Sequence, residues 1–96
     1  MYASVRRYTG LGPGMFEELD RRRADLEAWV RTFPGLVQWY LFRTPDGMTT
    51  ITLSRDQAGA DASVRLAADW IKANMPSFMP QPPEVSSGEV TLQVTG

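Results

Sequence analysis

The chain has 96 residues, a formal net charge of −1 and an isoelectric point near 5.3, with 43% hydrophobic and 22% charged residues. These values describe one soluble globular domain over residues 1–96, with no electrostatic footprint for nucleic acid or an anionic membrane. There is no Cys and no His, which removes disulfides, thiolate nucleophiles, Ser-His-Asp catalysis, the usual zinc and non-haem iron sites, and histidine-ligated haem.

No apolar run is long enough to span a bilayer and the N-terminus lacks a signal-peptide pattern, so a cytoplasmic location is expected. The acids show no calcium-loop spacing, and neither a metal nor any other cofactor is expected. Proton chemistry would fall to Asp, Glu, Tyr, Lys or Arg.

In chain order, "MYASVRRY" is rich in β-formers and predicts a first strand over Tyr2 to Tyr8. "TGLGPG" breaks it. From Met15, the residues Phe16, Leu19, Leu26, Trp29, Val30 and Phe33 recur at helical spacing, and Pro34-Gly35 stops that helix. Glu17–Arg21, Glu18–Arg22 and Glu27–Arg31 are spaced to pair along it. The Arg21–Arg23 run, interleaved with acids, reads as a solvated helix face.

"PGLVQWYLFRTPDGMTTITLS" predicts a hairpin turning at Asp46-Gly47. A second helix is expected over Ala58 to Asn74, with Ser63, Ala67, Trp70 and Asn74 on one stripe. "MPSFMPQPPEV" carries too many prolines for a helix and reads as an extended connector. "SGEVTLQV" predicts a fourth strand with Val90, Leu92 and Val94 on one face. The order βαββαβ is an α+β, ferredoxin-like plan: a four-stranded antiparallel sheet with two helices on one face.

Strand two is apolar on both faces. Strict alternation sets Val37, Trp39 and Leu41 against Leu36, Tyr40 and Phe42. The helices cover one set. Leaving the other in water forfeits about 1.5–3 kcal/mol for each large side chain. Such a patch marks an interface, and the simplest partner is a second copy, sheet against sheet.

The segments "ASVRRY", "FPGLVQWYLF", "DGMTTITLSRDQAGADASVRLAADWIKAN" and "PPEVSSGEV" cover most of the chain. Through them it resembles the dimeric α/β-barrel superfamily, and within it the small proteins related to the antibiotic biosynthesis monooxygenases. The resemblance implies a homodimer of two ferredoxin-like sheets closed into one barrel. It also implies a pocket for a small hydrophobic or aromatic molecule, as in cofactor-independent monooxygenases that rely on Tyr, Trp, Asn and Arg. The histidine iron ligand of the haem-degrading members has no counterpart here. A non-enzymatic assembly protein is the alternative.

Six residues are ligand-binding candidates: Arg6, Gln38, Tyr40, Ser63, Trp70 and Asn74. Small Ser63 would leave room beside helix two, Trp70 would stack on a planar ligand, and Asn74 would donate a hydrogen bond. The same stripe also reads as plain packing, with Asn74 satisfying carbonyls at the helix end. Tyr40 and Gln38 share a strand face and would offer a phenol and an amide to a pocket, or simply a dimer contact. Arg6 alternates with Ser4 and Tyr8. Buried, it would call for an anion or enolate; otherwise it snorkels to the sheet edge.

"GLGPGMF" invites a nucleotide-loop reading. The third glycine is missing at Met15, and Pro13 removes an amide that would face phosphate. It is taken as a turn and helix start. In the connector, Met75, Phe78 and Met79 would suit either a lid over a hydrophobic pocket or a packed surface segment.

Overall fold

The computed structural model describes residues 1–96. Its elements are β1 (Tyr2–Thr9), α1 (Met15–Arg21), α2 (Arg23–Val30), β2 (Leu36–Thr44), β3 (Gly47–Ser54), α3 (Gln57–Asn74) and β4 (Glu84–Glu89). The strands form one antiparallel sheet in the order β2-β3-β1-β4, with the helices on one side. This is the ferredoxin-like α+β arrangement expected from the sequence.

The first helix is kinked rather than continuous. At Arg22 (φ −97°, ψ 10°) α1 gives way to α2, although the Leu26 amide still donates to the Arg22 carbonyl at 2.8 Å. No Pro or Gly lies there. The kink coincides with buried Glu18, whose carboxylate accepts from Arg21 and, at 2.7 Å, from Arg22 Nε. Arg21 therefore pairs with Glu18 in place of Glu17, and Glu27 meets Arg23 at 3.5 Å in place of Arg31.

Two glycines fix the entry to α1. Gly14 caps it in the left-handed region at φ 79°, where a Cβ would be strained. The Gly12 amide donates to the Phe78 carbonyl at 2.8 Å, and a Cβ there would sit 2.9 Å from the Ser77 carbonyl oxygen. The glycine-rich turn is thus packed against the connector before β4.

α3 starts where Asp56 accepts the Gly59 amide at 2.8 Å. Its buried stripe, Gly59, Ala60, Ser63 and Ala67, is small enough to bring the helix close to the sheet. The main core joins Tyr8, Met15, Leu19, Met48, Met75 and Met79.

In the hairpin Thr44 pairs with Gly47, so Pro45 and Asp46 form the turn, one residue earlier than expected. A bulge follows the entry to β2. Leu36 pairs with Ser54 and Gln38 with Leu53, leaving Val37 as the extra residue. The bulge corrects the expected grouping: Leu36 shares the helix-facing side with Trp39 and Leu41, while Gln38, Tyr40 and Phe42 face away.

The sheet carries polar and apolar residues on both faces: Tyr8, Met48, Trp39 and Leu41 join the helix side. Ser4, Arg6, Thr50 and Thr52 lie buried on the side of the helices. Val5, Ile51 and Leu53 lie on the open side, beside Tyr40 and Phe42, which are 51% and 46% exposed.

The fourth strand also differs from expectation. β4 runs from Glu84 to Glu89, earlier than "SGEVTLQV" suggested. Its partner β1 runs out: Tyr2 pairs with Glu89, and the Val90 amide makes a last bond to the Met1 carbonyl at 3.0 Å. Beyond it Leu92 and Val94 are 81% and 83% exposed. No helix is long and apolar enough to cross a membrane.

Candidate functional site

β1 alternates its side chains, so Ser4, Arg6 and Tyr8 all project beneath the helices. Between α3 and the strands β1 and β4, a cleft of about 540 Å³ lies above Arg6 and Tyr8. Val64, Ala68 and Ile71 of α3 form one wall, and Val85 of β4 forms another. The connector closes a third side through Met79 and its prolines. Lys72 and Gln81 add polar groups, and no acidic residue lines the cleft.

Arg6 dominates the electrostatics. It is 2% exposed, its Nε donates to Thr50 Oγ1 at 3.0 Å, and its buried Nη1 has no partner. None of the chain's ion pairs includes it. Burial lowers the Arg6 pKa, while the neighbouring Tyr8 phenol acts in the opposite direction. Burial pushes the Tyr8 phenol up, and the Arg6 charge partly offsets that.

Arg6 and Tyr8 also border an inner gap of about 30 Å³ between the helices and the sheet, among Trp29, Trp39 and Trp70. That volume suits one water and excludes an aromatic ring. The buried Trp39 Nε1, Thr52 Oγ1 and Ser54 Oγ lack partners as well. The layer under the helices is therefore polar and incompletely hydrogen-bonded, which is costly for a protein interior.

Of the six residues singled out from sequence, Arg6 alone lines the cleft. Ser63 is fully buried and its Oγ donates to the Ala60 carbonyl at 2.7 Å. Trp70 stacks on Trp29 with ring centroids 5.2 Å apart and borders the inner gap. Asn74 is exposed and its Nδ2 donates to the Trp70 carbonyl at 2.9 Å. The helix stripe thus packs rather than opening a pocket. Gln38 and Tyr40 lie on the opposite, open face of the sheet. Sequence reasoning did not single out Tyr8, Ile71, Lys72, Gln81 and Val85 as cleft residues. Only Tyr8 carried a signal, since it alternates in phase with Arg6. The proline-rich connector does supply a wall, with Met75 and Met79 both buried.

A second groove of about 620 Å³ follows the β2 edge between α1–α2 and Trp39, Tyr40 and Arg43. It is larger, but it mixes Asp20 and Glu27 with Arg23, Arg31 and Arg43, and none of those arginines is buried. The Arg6 cleft has the more distinctive chemistry. No cluster of His, Cys, Asp or Glu able to hold a metal is present.

No protein-family model and no curated protein matches the chain. Solved structures do. The chain shares its fold with the antibiotic biosynthesis monooxygenase-like proteins. A protein of unknown function from Nitrosomonas europaea superposes with a TM-score of 0.71 at 20% identity, over 99% of this chain and 92% of that one. A MhuD variant with two manganese protoporphyrin IX molecules bound per active site gives 0.72 at 17% identity, over the full length of both chains. A monooxygenase from the ActVA-Orf6 gene of Streptomyces coelicolor, in complex with nanaomycin D, gives 0.65 at 14% identity, over 99% and 90%.

Proposed function

We propose that this chain is a homodimeric protein that binds a small hydrophobic or aromatic molecule in the cleft above Arg6 and Tyr8. The observation that carries the binding reading is the cleft itself. Its volume of about 540 Å³ is ligand-sized, and its largely apolar walls carry only a few polar groups. Fold neighbours that hold a porphyrin or nanaomycin D support a small planar ligand as the class.

The apolar residues on the open face of the sheet support the dimer. A sheet covered on one side normally buries its apolar residues against the helices. Here Val5, Ile51, Leu53, Tyr40 and Phe42 lie on the open side in addition to the core beneath the helices. A second copy packed on that face would bury them and close the two sheets into one barrel. Leu92 and Val94, beyond the end of β1, would find cover at the same junction.

A second reading, favoured by the nanaomycin D complex of a fold neighbour, adds cofactor-independent oxygenation of the bound aromatic. Oxygen uptake with dihydroxyaromatic substrates tests that addition alone. Native mass spectrometry of the protein from its own source tests the binding and the dimer together. Two chains with a discrete small adduct are expected. Two bare chains would favour the assembly-protein alternative, and a bare single chain would contradict both parts.

A further inference from the structure

We infer that the cleft selects an anionic ligand: a small, mainly apolar molecule whose carboxylate or phenolate group is received by the Arg6 guanidinium. The inference rests on the small-molecule reading above and names the class of molecule the cleft would take.

An arginine in a folded protein stays protonated, so Arg6 brings a full positive charge into the interior. Buried charges are normally paired. Arg6 has only a neutral hydroxyl partner, Thr50 Oγ1, and its Nη1 is left without an acceptor. Compensation from within the chain is absent. The buried carboxylate of Glu18 is already taken by Arg21 and Arg22, and no acid lines the cleft. Lys72 is the cleft's other charged residue and has the same sign. In a chain of net charge −1, a ligand-sized cleft whose only charges are positive is a selective feature.

The geometry suits a ligand with one anionic end. Arg6 and Tyr8 lie together on the floor, while Val64, Ile71, Met79 and Val85 supply apolar walls. A carboxylate reaching the floor would accept from the guanidinium and offset its charge. The apolar body would then lie along α3 and the connector. A neutral molecule of the same shape would gain the wall contacts and leave the buried charge uncompensated.

The test is calorimetric titration with a naphthalene carboxylate and its uncharged carboxamide, at neutral pH and low salt. The wild-type protein is expected to bind the carboxylate about tenfold or more tightly than the amide. Arg6→Met is expected to abolish that preference, while Lys72→Met keeps most of it. Equal affinities in the wild type would overturn the anion inference and leave the cleft reading standing. A preference that survives Arg6→Met would also overturn it. Binding of neither probe would remove the cleft reading and this inference with it. The wild-type ratio is decisive even if a variant fails to fold.

Discussion

Arg6 and Thr50 face each other across β1 and β3, joined by a buried 3.0 Å hydrogen bond from Nε to Oγ1. That bond and the neighbouring Tyr8 phenol are all that face a full positive charge, and no carboxylate pairs with it. Removing the charge should therefore strengthen the empty fold. Arg6→Met is expected to raise stability by about 1 kcal/mol, or about 4–8 °C in melting temperature for a domain of this size. Thermal unfolding by circular dichroism without ligand measures it. A large loss of stability would instead make Arg6 a structural anchor.

Tyr8 sets an upper pH limit. Burial raises its phenol pKa above the ordinary 10.0, so the native state holds the proton after the unfolded chain has lost it. The unfolded state then binds fewer protons, and stability falls as pH rises. The contribution is fully present below about pH 10 and is lost as pH climbs through the raised native value. Denaturant midpoints across that range should fall for the wild type and change less for Tyr8→Phe. Identical profiles would place the Tyr8 hydroxyl in water.

The open sheet face makes the assembly prediction. Ile51 and Phe42 both lie on it, on neighbouring strands. Ile51→Asp would put a charge in the middle of a sheet-on-sheet contact. The expected outcome is a folded monomer by light scattering at micromolar concentration, against a dimer for the wild type. A variant that remains dimeric would place the contact elsewhere.

Gly12 tests the link between the glycine-rich turn and the cleft's connector. A Cβ there would meet the Ser77 carbonyl at 2.9 Å, with backbone on both sides. Gly12→Ala should cost about 1–3 kcal/mol, read from urea unfolding. It should also weaken ligand binding, because the strained segment continues into Met79 of the cleft wall. Unchanged stability would show that the turn and connector move apart freely.

The sequence made the order of elements legible because each carried its own local signal. Asp56 caps α3 and the Pro45-Asp46 turn closes the hairpin, while α2 already ends at Val30, four residues before the expected stop at Pro34-Gly35. Misreadings arose where tertiary partners decide. The Val37 bulge resets the alternation of β2, and a strict period of two therefore put Leu36 on the wrong face. "VTLQV" has high β-propensity, but β1 ends before it can pair. Within the site, Arg6 was visible from its phase on β1. The Ser63–Trp70–Asn74 stripe looked equally suitable, and its hydrogen bonds turn out to be local to α3. Lys72, Gln81 and Val85 come from three separate segments, and only folding brings them together.

Amide chemical-shift mapping with the naphthalene carboxylate locates the ligand on the protein residue by residue. With the ligand in the cleft, perturbations gather on Val64, Ala68, Ile71, Gln81 and Val85, around Arg6 and Tyr8. Perturbations confined to Leu26, Val30 and Tyr40 in the β2-edge groove, or no perturbation at all, would contradict binding in the cleft.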